Sequence, residues 1–430
     1  MSVSIMTLYS FLKKINVLPS TLEMKSLDSA TEWVIAALNI ALVPLRKKAS
    51  IVVGGSYAKG TLVASPMYDV DIFIRYSGDI SELMLHLLPV LREICLQHHL
   101  PLERVHGSRQ YFRIRYAQNI VFEIVPVNAI KKPSEALNVT DLSYTHIPYI
   151  KKKLLKNKKL VHEIGLAKLF CKAHRVYGAE SYVQGFSGYA LECLVVFYGS
   201  FLKMIKSLAP AKTQIIIDPE KKYSNKKEIL LSLNESKLRS PIVLVDPTWK
   251  ERNVLAALSR DTFLKFQKVA TAFLNRPELE FFVVKNLTDE DIVARARKLR
   301  SEVVCIMLET PKQPGDIAGT KLKKFADTLT KYFAPHFLIV NREFLYSGTH
   351  TAKAYYFVKP IKPNLRRGPP ISMKEHARQF KKEHPNAIVK RGIMYVPLPR
   401  PASAQEYIRH FLQHYTRMIK EMDVSSARVA

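Results

Sequence analysis

Two short stretches constrain this chain more than any other part of it. An apolar run at 51–53 leads into Gly54-Gly55-Ser56, and a short spacer later comes Tyr68-Asp69-Val70-Asp71-Ile72-Phe73-Ile74. The first reads as a strand ending in a tight turn, because glycine lets the backbone bend sharply and approach a ligand closely. The N–H groups at the start of the short helix predicted next favour phosphate, and Ser56 adds a hydroxyl donor. The second reads as a strand. Its period of two puts Asp69 and Asp71 on one face and sends Val70, Ile72 and Ile74 to the other, where they can enter a core.

Side-by-side carboxylates repel each other, so a fold gains nothing from them alone. A divalent cation removes the repulsion, and magnesium accepts carboxylates together with substrate phosphate oxygens. A bare Asp-x-Asp is more often a solvated pair at a strand end; the preceding Gly-Gly-Ser shifts the balance to a metal site. The stretch is not a Walker A loop, since Gly60 is followed by Thr61-Leu62 and Lys59 precedes it. Glu123, the one acid in the apolar run 121–127, offers a third carboxylate, with a solvent-facing strand residue as its plain alternative.

Charge points to a partner. With 66 Lys+Arg against 37 Asp+Glu, the formal net charge is +29, which suits a polyanion and favours nucleic acid over a membrane surface. The 430 residues suggest roughly three domains, and the 47% hydrophobic content excludes a disordered or collagen-like chain. Cys95, Cys171, Cys193 and Cys305 form no CxxC pair and read as buried free thiols of a reducing compartment. Residues 1–17 lack the apolar run of a signal peptide. The apolar stretches 33–45 and 191–202 are too short to span a bilayer, so a soluble, cytoplasmic protein is expected.

Along the chain, the patterning predicts a helix over 21–48 capped by Ser29. Strands follow at 51–53, 70–75, 111–116 and 121–127, with a helix at 80–98. From about 141 the pattern is helical, at 164–175, at 188–208 as one helix, and at 253–274. A lysine-rich connection at 210–240 holds one strand, at 214–217, and another strand is predicted at 242–245. The last third reads as α+β: strand 303–308, helix 321–333 and strands 337–340 and 354–358. A proline-rich loop at 359–370, a helix at 373–384, a strand pair around 388–397 and a helix at 404–422 complete the chain. The lysine run at 151–159 and Arg366-Arg367 are possible RNA contacts, each as readily explained by a solvated surface.

Gly-Gly-Ser, a short spacer, an acid-x-Asp strand and a later acidic strand resemble the DNA polymerase beta superfamily of nucleotidyltransferases. More narrowly, the chain resembles archaeal, class I CCA-adding enzymes. Gly54–Gly60, Tyr177-Gly178-Ala179-Glu180, Gly185-Phe186-Ser187-Gly188-Tyr189, Tyr198-Gly199-Ser200-Phe201 and Asp246-Pro247 with Arg252-Asn253-Val254 carry the likeness, in order, over about 50–260. The resemblance implies a multidomain α/β and α+β fold. Its parts would be a nucleotidyltransferase head (1–140), a helical neck that binds the nucleotide base (141–280) and an α+β body and tail that bind tRNA (281–430). It also implies CCA addition to tRNA from CTP and ATP by two-metal transfer with Mg2+, away from membranes, and admits a homodimer.

By position, the resemblance makes Asp69, Asp71 and Glu123 the metal-holding catalytic residues. Gly55, Ser56 and Lys59 fall at the triphosphate, His146, Lys168 and Tyr177 at the incoming nucleotide, and Arg252 at its base. Taken alone, the last four read as a helix-start histidine, a solvated lysine, a core aromatic and a salt-bridge partner. Glu123 stands where the family carries Asp, which moves the carboxylate outward by about 1.5 Å. Asp69 stands where some relatives carry Glu, and the segment from Gly107 to Tyr111 departs from the family's usual turn. Two rivals remain: another template-independent RNA nucleotidyltransferase (a poly(A) polymerase, or a CC-only or A-only enzyme), and a basic RNA-binding protein with a dead transferase fold.

Overall fold

The computed structural model describes residues 5–107, 109–361, 365–397 and 403–430. It divides into two compact units, Met1–Lys285 and Asn286–Ala430. The first opens with α1 (Ile5–Lys13) and α2 (Thr21–Ala41). Ser20, not Ser29, caps α2: its hydroxyl accepts from the Glu23 N–H, and the Glu23 carboxylate reaches back to the Ser20 N–H. This reciprocal pair satisfies two otherwise orphaned donors, and Ser29 lies exposed inside the helix.

A five-stranded sheet follows, with β1 (Ala49–Val53), β2 (Tyr68–Tyr76), β3 (Leu102–His106), β4 (Gln110–Ala117) and β5 (Ile120–Asn128) in the order β1-β2-β5-β4-β3. Only β2 and β5 run parallel. The short α3 (Gly55–Lys59) sits between β1 and β2, and α4 (Ile80–Gln97) between β2 and β3. One face of the sheet is buried under α2 and α4: Val70, Ile72, Ile74, Phe122 and Ile124 meet Leu27, Val34, Leu38, Leu83 and Leu87. The other face carries the acids. Their row leads into a smaller apolar cluster of Phe73, Val125 and Val127.

The rest of this unit is mainly helical. Helices α5 (His146–Lys156), α6 (Leu160–Ala173), α7 (Gly188–Tyr198) and α8 (Phe201–Leu208) are followed by α9 (Lys226–Ser232), α10 (Glu235–Leu238) and α11 (Arg260–Asn275). They bury an aromatic core of Phe170, Phe201, Phe266 and Phe273. The single helix expected over 188–208 is two. Gly199 ends α7 in the left-handed conformation (φ 79°), Ser200 caps α8, and the two helices meet at 96°. Strands β6 (Ile215–Ile217) and β7 (Ile242–Leu244) pair in parallel.

The second unit holds α12 (Asp289–Leu299), β8 (Glu302–Glu309), α13 (Asp316–Phe333), β9 (Phe337–Tyr346) and β10 (Thr351–Pro360), and its sheet takes in the late strand β14 (Ser426–Val429) in the order β14-β8-β10-β9. Leu322, Phe325 and Leu329 of α13 pack against Val304, Ile306 and Tyr356. A smaller sheet of β11 (Leu365–Pro370), β12 (Ile388–Lys390) and β13 (Ile393–Pro397) accompanies α14 (Lys374–Glu383). Then come α15 (Ala404–His414), α16 (Thr416–Glu421) and β14 (Ser426–Val429), so the helix expected over 404–422 is also broken. Among the described residues, no single helix is long and apolar enough to cross a membrane.

Candidate active site

The site begins where β1 turns into α3. Gly55 has φ 61°, and a Cβ there would stand 1.9 Å from Asp71 Oδ2. A Cβ at Gly54 would run into the Phe73 ring at 2.1 Å. The Gly54 N–H donates to the Asp71 carbonyl at 2.7 Å. The turn is therefore laid directly on the Asp71 carboxylate, and only glycine permits that approach.

Asp69 and Asp71 share a face of β2, as the alternation predicts, with Asp69 exposed and Asp71 half-buried. Neither side chain has a hydrogen-bond partner among the described residues. Loss of solvation, then the Glu123 and Asp69 charges, push the Asp71 carboxyl up to about 7. Loss of solvation and Glu123 raise Asp69 in the same direction. Such oxygen donors, unpaired and mutually repelling, fit a hard divalent cation.

Glu123 lies directly opposite Asp71 in the β2–β5 register. Its Oε1 accepts from Arg113 Nη2 at 2.7 Å, from Arg113 Nε at 3.3 Å and from the Tyr111 hydroxyl at 3.2 Å. No group of three or more His, Cys, Asp or Glu side chains forms a metal-holding cluster among the described residues. The Asp pair thus fits an ion as it stands, while one oxygen of Glu123 is held by Arg113.

Behind the turn lies a buried charge network. Lys59 donates to Glu192 Oε2 at 2.6 Å, and Lys168 donates to Glu192 Oε1 at 2.8 Å and to the Thr61 carbonyl at 2.9 Å. Thr61 donates to Glu192 Oε1 at 2.6 Å. Burial alone would raise the Glu192 carboxyl, but Lys168 and Lys59 outweigh it and hold it at about 2. Burial lowers Lys168. Lys168 is therefore no solvated lysine, and two buried ammonium groups share one carboxylate. The Ser56 hydroxyl has no partner among the described residues.

A second polar cluster joins α5, α7 and the segment after β7. His146 stacks on Tyr189, with centroids 3.7 Å apart and planes at 9°. Burial lowers its pKa against the opposing pull of Asp246, and its Nε2 lies 3.0 Å from Arg252 Nη1 and 3.5 Å from Asp246 Oδ2. Arg252 Nη1 also donates to Asp246 Oδ2 at 2.9 Å. Asp246 Oδ1 accepts from Tyr189 at 3.1 Å and from the Thr248 N–H at 2.7 Å. Burial opposes its charge, but His146, Arg252 and Thr248 together hold the Asp246 carboxyl far below the usual range. One nitrogen anchors Arg252; its Nη2 and Nε have no partner among the described residues.

Tyr177 is half-buried, with Lys172 Nζ 5.3 Å from its ring centroid and its hydroxyl 2.8 Å from where a Gly188 Cβ would stand. Tyr177 apart, the residues singled out from the sequence thus fall into three groups. Gly55, Ser56, Asp69, Asp71 and Glu123 line the turn and the sheet, Lys59 and Lys168 meet at Glu192, and His146 and Arg252 meet at Asp246. The sequence reading assigned no role to Glu192, Asp246, Tyr189, Arg113 or Tyr111. Glu192 had left a signal, as the lone acid within the apolar stretch 191–202.

Two family descriptions match adjoining stretches of the chain: a nucleotidyltransferase domain over 39–161, and the second domain of tRNA nucleotidyltransferase over 162–283. The CCA-adding enzyme of Nanoarchaeum equitans is 37% identical over 242 residues, 54% of this chain and 58% of that protein. That of Methanosarcina mazei is 29% identical over 77% of this chain and 71% of its own length. This chain is similar to members of the family of archaeal CCA-adding enzymes. A third member, from Thermococcus kodakarensis, is 30% identical over 63% of this chain and 59% of its own length. The chain thus spans less than two thirds of the first of these relatives and about seven tenths of the second. As a nucleotidyltransferase it falls in a class that generally uses divalent metal ions.

Proposed function

We propose that this chain adds CCA to tRNA 3′ ends without a nucleic-acid template, from CTP and ATP. The tRNA 3′-hydroxyl attacks the α-phosphate, the bond to the β-phosphate breaks, and pyrophosphate leaves. One observation carries the reading. Asp69 and Asp71 stand without protein partners against a Gly-Gly-Ser turn whose Gly55 admits no side chain.

In this reading Asp69, Asp71 and the unclamped oxygen of Glu123 hold magnesium ions. Bound there, the ions lower the pKa of the primer hydroxyl and screen the triphosphate. The Gly55 N–H and the Ser56 hydroxyl donate to phosphate oxygens. Lys59 and Lys168 carry one positive charge more than Glu192 neutralises, and that field favours the triphosphate from behind the turn. The open Nη2 and Nε of Arg252 present donors to the acceptor atoms of the base, with Asp246 and the His146–Tyr189 stack holding the guanidinium still. Tyr177, whose hydroxyl approaches Gly188 as the Lys168 side chain does, supplies a ring to the incoming nucleotide. Residues 1–140 serve as catalytic head, 141–280 as base-binding neck and 281–430 as the tRNA-binding body and tail, in the cytoplasm.

The test uses purified protein, magnesium and a tRNA transcript lacking its CCA end. CTP alone, ATP alone and both together are supplied, and the 3′ ends are sequenced. CC from CTP alone and CCA from both, stopping there, is the expected result. Long A-runs point instead to poly(A) synthesis, and CC or A addition alone to a shared pathway. Bound tRNA with no extension under any condition would favour the dead-transferase alternative.

A further inference from the structure

Four charged residues stand in one line across the catalytic sheet. Glu103 on β3 is directly opposite Arg113 on β4, Arg113 opposite Glu123 on β5, and Glu123 opposite Asp71 on β2. Side chains at directly opposed positions share a face and lie within reach of one another. The row therefore reads acid, base, acid, acid; Arg113 is its single cation, while Glu103 is also met by Arg115 Nη2 at 3.6 Å from outside the row. The contacts of Arg113 are unequal. Arg113 Nη1 lies 3.8 Å from Glu103 Oε2, whereas Nη2 and Nε both converge on Glu123 Oε1. The Tyr111 hydroxyl donates to that same oxygen while accepting from Arg113 Nη2 at 3.0 Å. Three donors thus meet one oxygen of Glu123, and its Oε2 has no partner among the described residues.

We propose that Arg113 is a positioning residue that clamps Glu123 by a single oxygen, so that Glu123 offers a metal ion only the other. The inference rests on the reading of Asp69, Asp71 and Glu123 as the ion-holding acids. A glutamate has one more rotatable bond than an aspartate and must be pinned if it is to present its carboxylate in one place. A fork of two N–H groups does this as a single ammonium cannot. The clamp also places a fixed positive charge beside the ion site, so the same residue that orients Glu123 weakens ion binding there. A merely structural arginine would not produce these opposite effects.

The experiment compares Arg113→Gln and Arg113→Lys with the full-length wild-type chain. Mn2+ affinity is measured by electron paramagnetic resonance without nucleotide, and kcat and KM for CTP are measured separately. In Arg113→Gln, Mn2+ binding should tighten by about tenfold as the competing cation is lost. Its kcat should fall by about 10- to 100-fold with KM for CTP within about twofold, because the carboxylate is no longer held in place. Arg113→Lys keeps the charge but not the fork, so Mn2+ affinity should stay near wild type while kcat still falls. Unchanged or weaker Mn2+ binding in a folded Arg113→Gln would overturn the proposal. If Arg113→Gln does not fold, Arg113→Lys decides alone, and wild-type kcat there would overturn it. Should the wild type transfer no nucleotide at all, the reading of the function fails, and the Mn2+ comparison still decides whether Arg113 opposes an ion at Glu123.

Discussion

Asp71 carries a cost when the site is empty of metal. A carboxyl raised to about 7 binds its proton more tightly in the folded than in the unfolded chain. Its contribution to stability is therefore fully present at low pH and declines as pH rises from about 4 to about 7. Metal-free Asp71→Asn should melt higher than wild type at pH 8, with the gap closing by about pH 4. Taking the difference between the two proteins cancels His146 and Glu192, which titrate in both. A gap independent of pH in thermal scans would show that Asp71 is an ordinary surface acid. The same variant should lose extension activity by on the order of 10³-fold. Glu192→Gln acts the other way. It leaves Lys59 and Lys168 buried without a counter-charge, and urea denaturation should register a loss of about 3–5 kcal/mol. An unchanged midpoint would mean that the two lysines escape to solvent.

Two glycines separate conformational from steric demand at the level of the element. Gly199 ends α7 with φ 79° and open space around its missing side chain. Gly199→Ala should cost about 1–2 kcal/mol, the price of a left-handed residue, with activity unchanged. Gly55→Ala meets the same backbone demand and also the Asp71 carboxylate at 1.9 Å, so it should abolish activity and destabilise more. Equal stability losses from the two would remove the argument that the turn is laid on Asp71.

These elements also show what the sequence made legible. Strand β2 was readable because it alternates up to Ile72: Tyr68, Val70 and Ile72 are buried and Asp69 and Asp71 are not, before Phe73 and Ile74 are both buried. Strand β3 was missed because Leu102–His106 is an edge segment with two charged residues among its five and a single buried one. The break between α7 and α8 was hidden because apolar residues run through both flanks, and only Gly199-Ser200 marks it. Within the site, the acids and the glycine turn were readable because their spacing is local. Glu192, Asp246 and Arg113 act through partners 133, 57 and 10 residues away, and no local pattern reports such pairings.

For the whole molecule, the net charge of +29 sets the conditions under which the substrate is held. If the proposed function is right, tRNA affinity should fall by roughly 10³-fold or more between 50 and 200 mM salt, with a linear log–log slope that counts released counterions. Filter binding at several salt concentrations measures it, and a flat slope would argue against backbone recognition. The division at Lys285 and Asn286 adds a further expectation. Residues 286–430 have an apolar core of their own and should fold when expressed alone, giving a cooperative thermal transition. A featureless melt would show that this part depends on the other.

The parallel pairing of β2 with β5 has a kinetic consequence. Asp71 and Glu123 face each other across strands whose partners lie about fifty residues apart in sequence, whereas β3, β4 and β5 close through short turns. Such distant pairings pay loop-closure entropy before any contact rewards them. During refolding, the ability to bind an ion should therefore emerge after the β3–β5 meander has acquired its protection from hydrogen exchange. Recovery of the site would then report the last step by which this sheet is assembled.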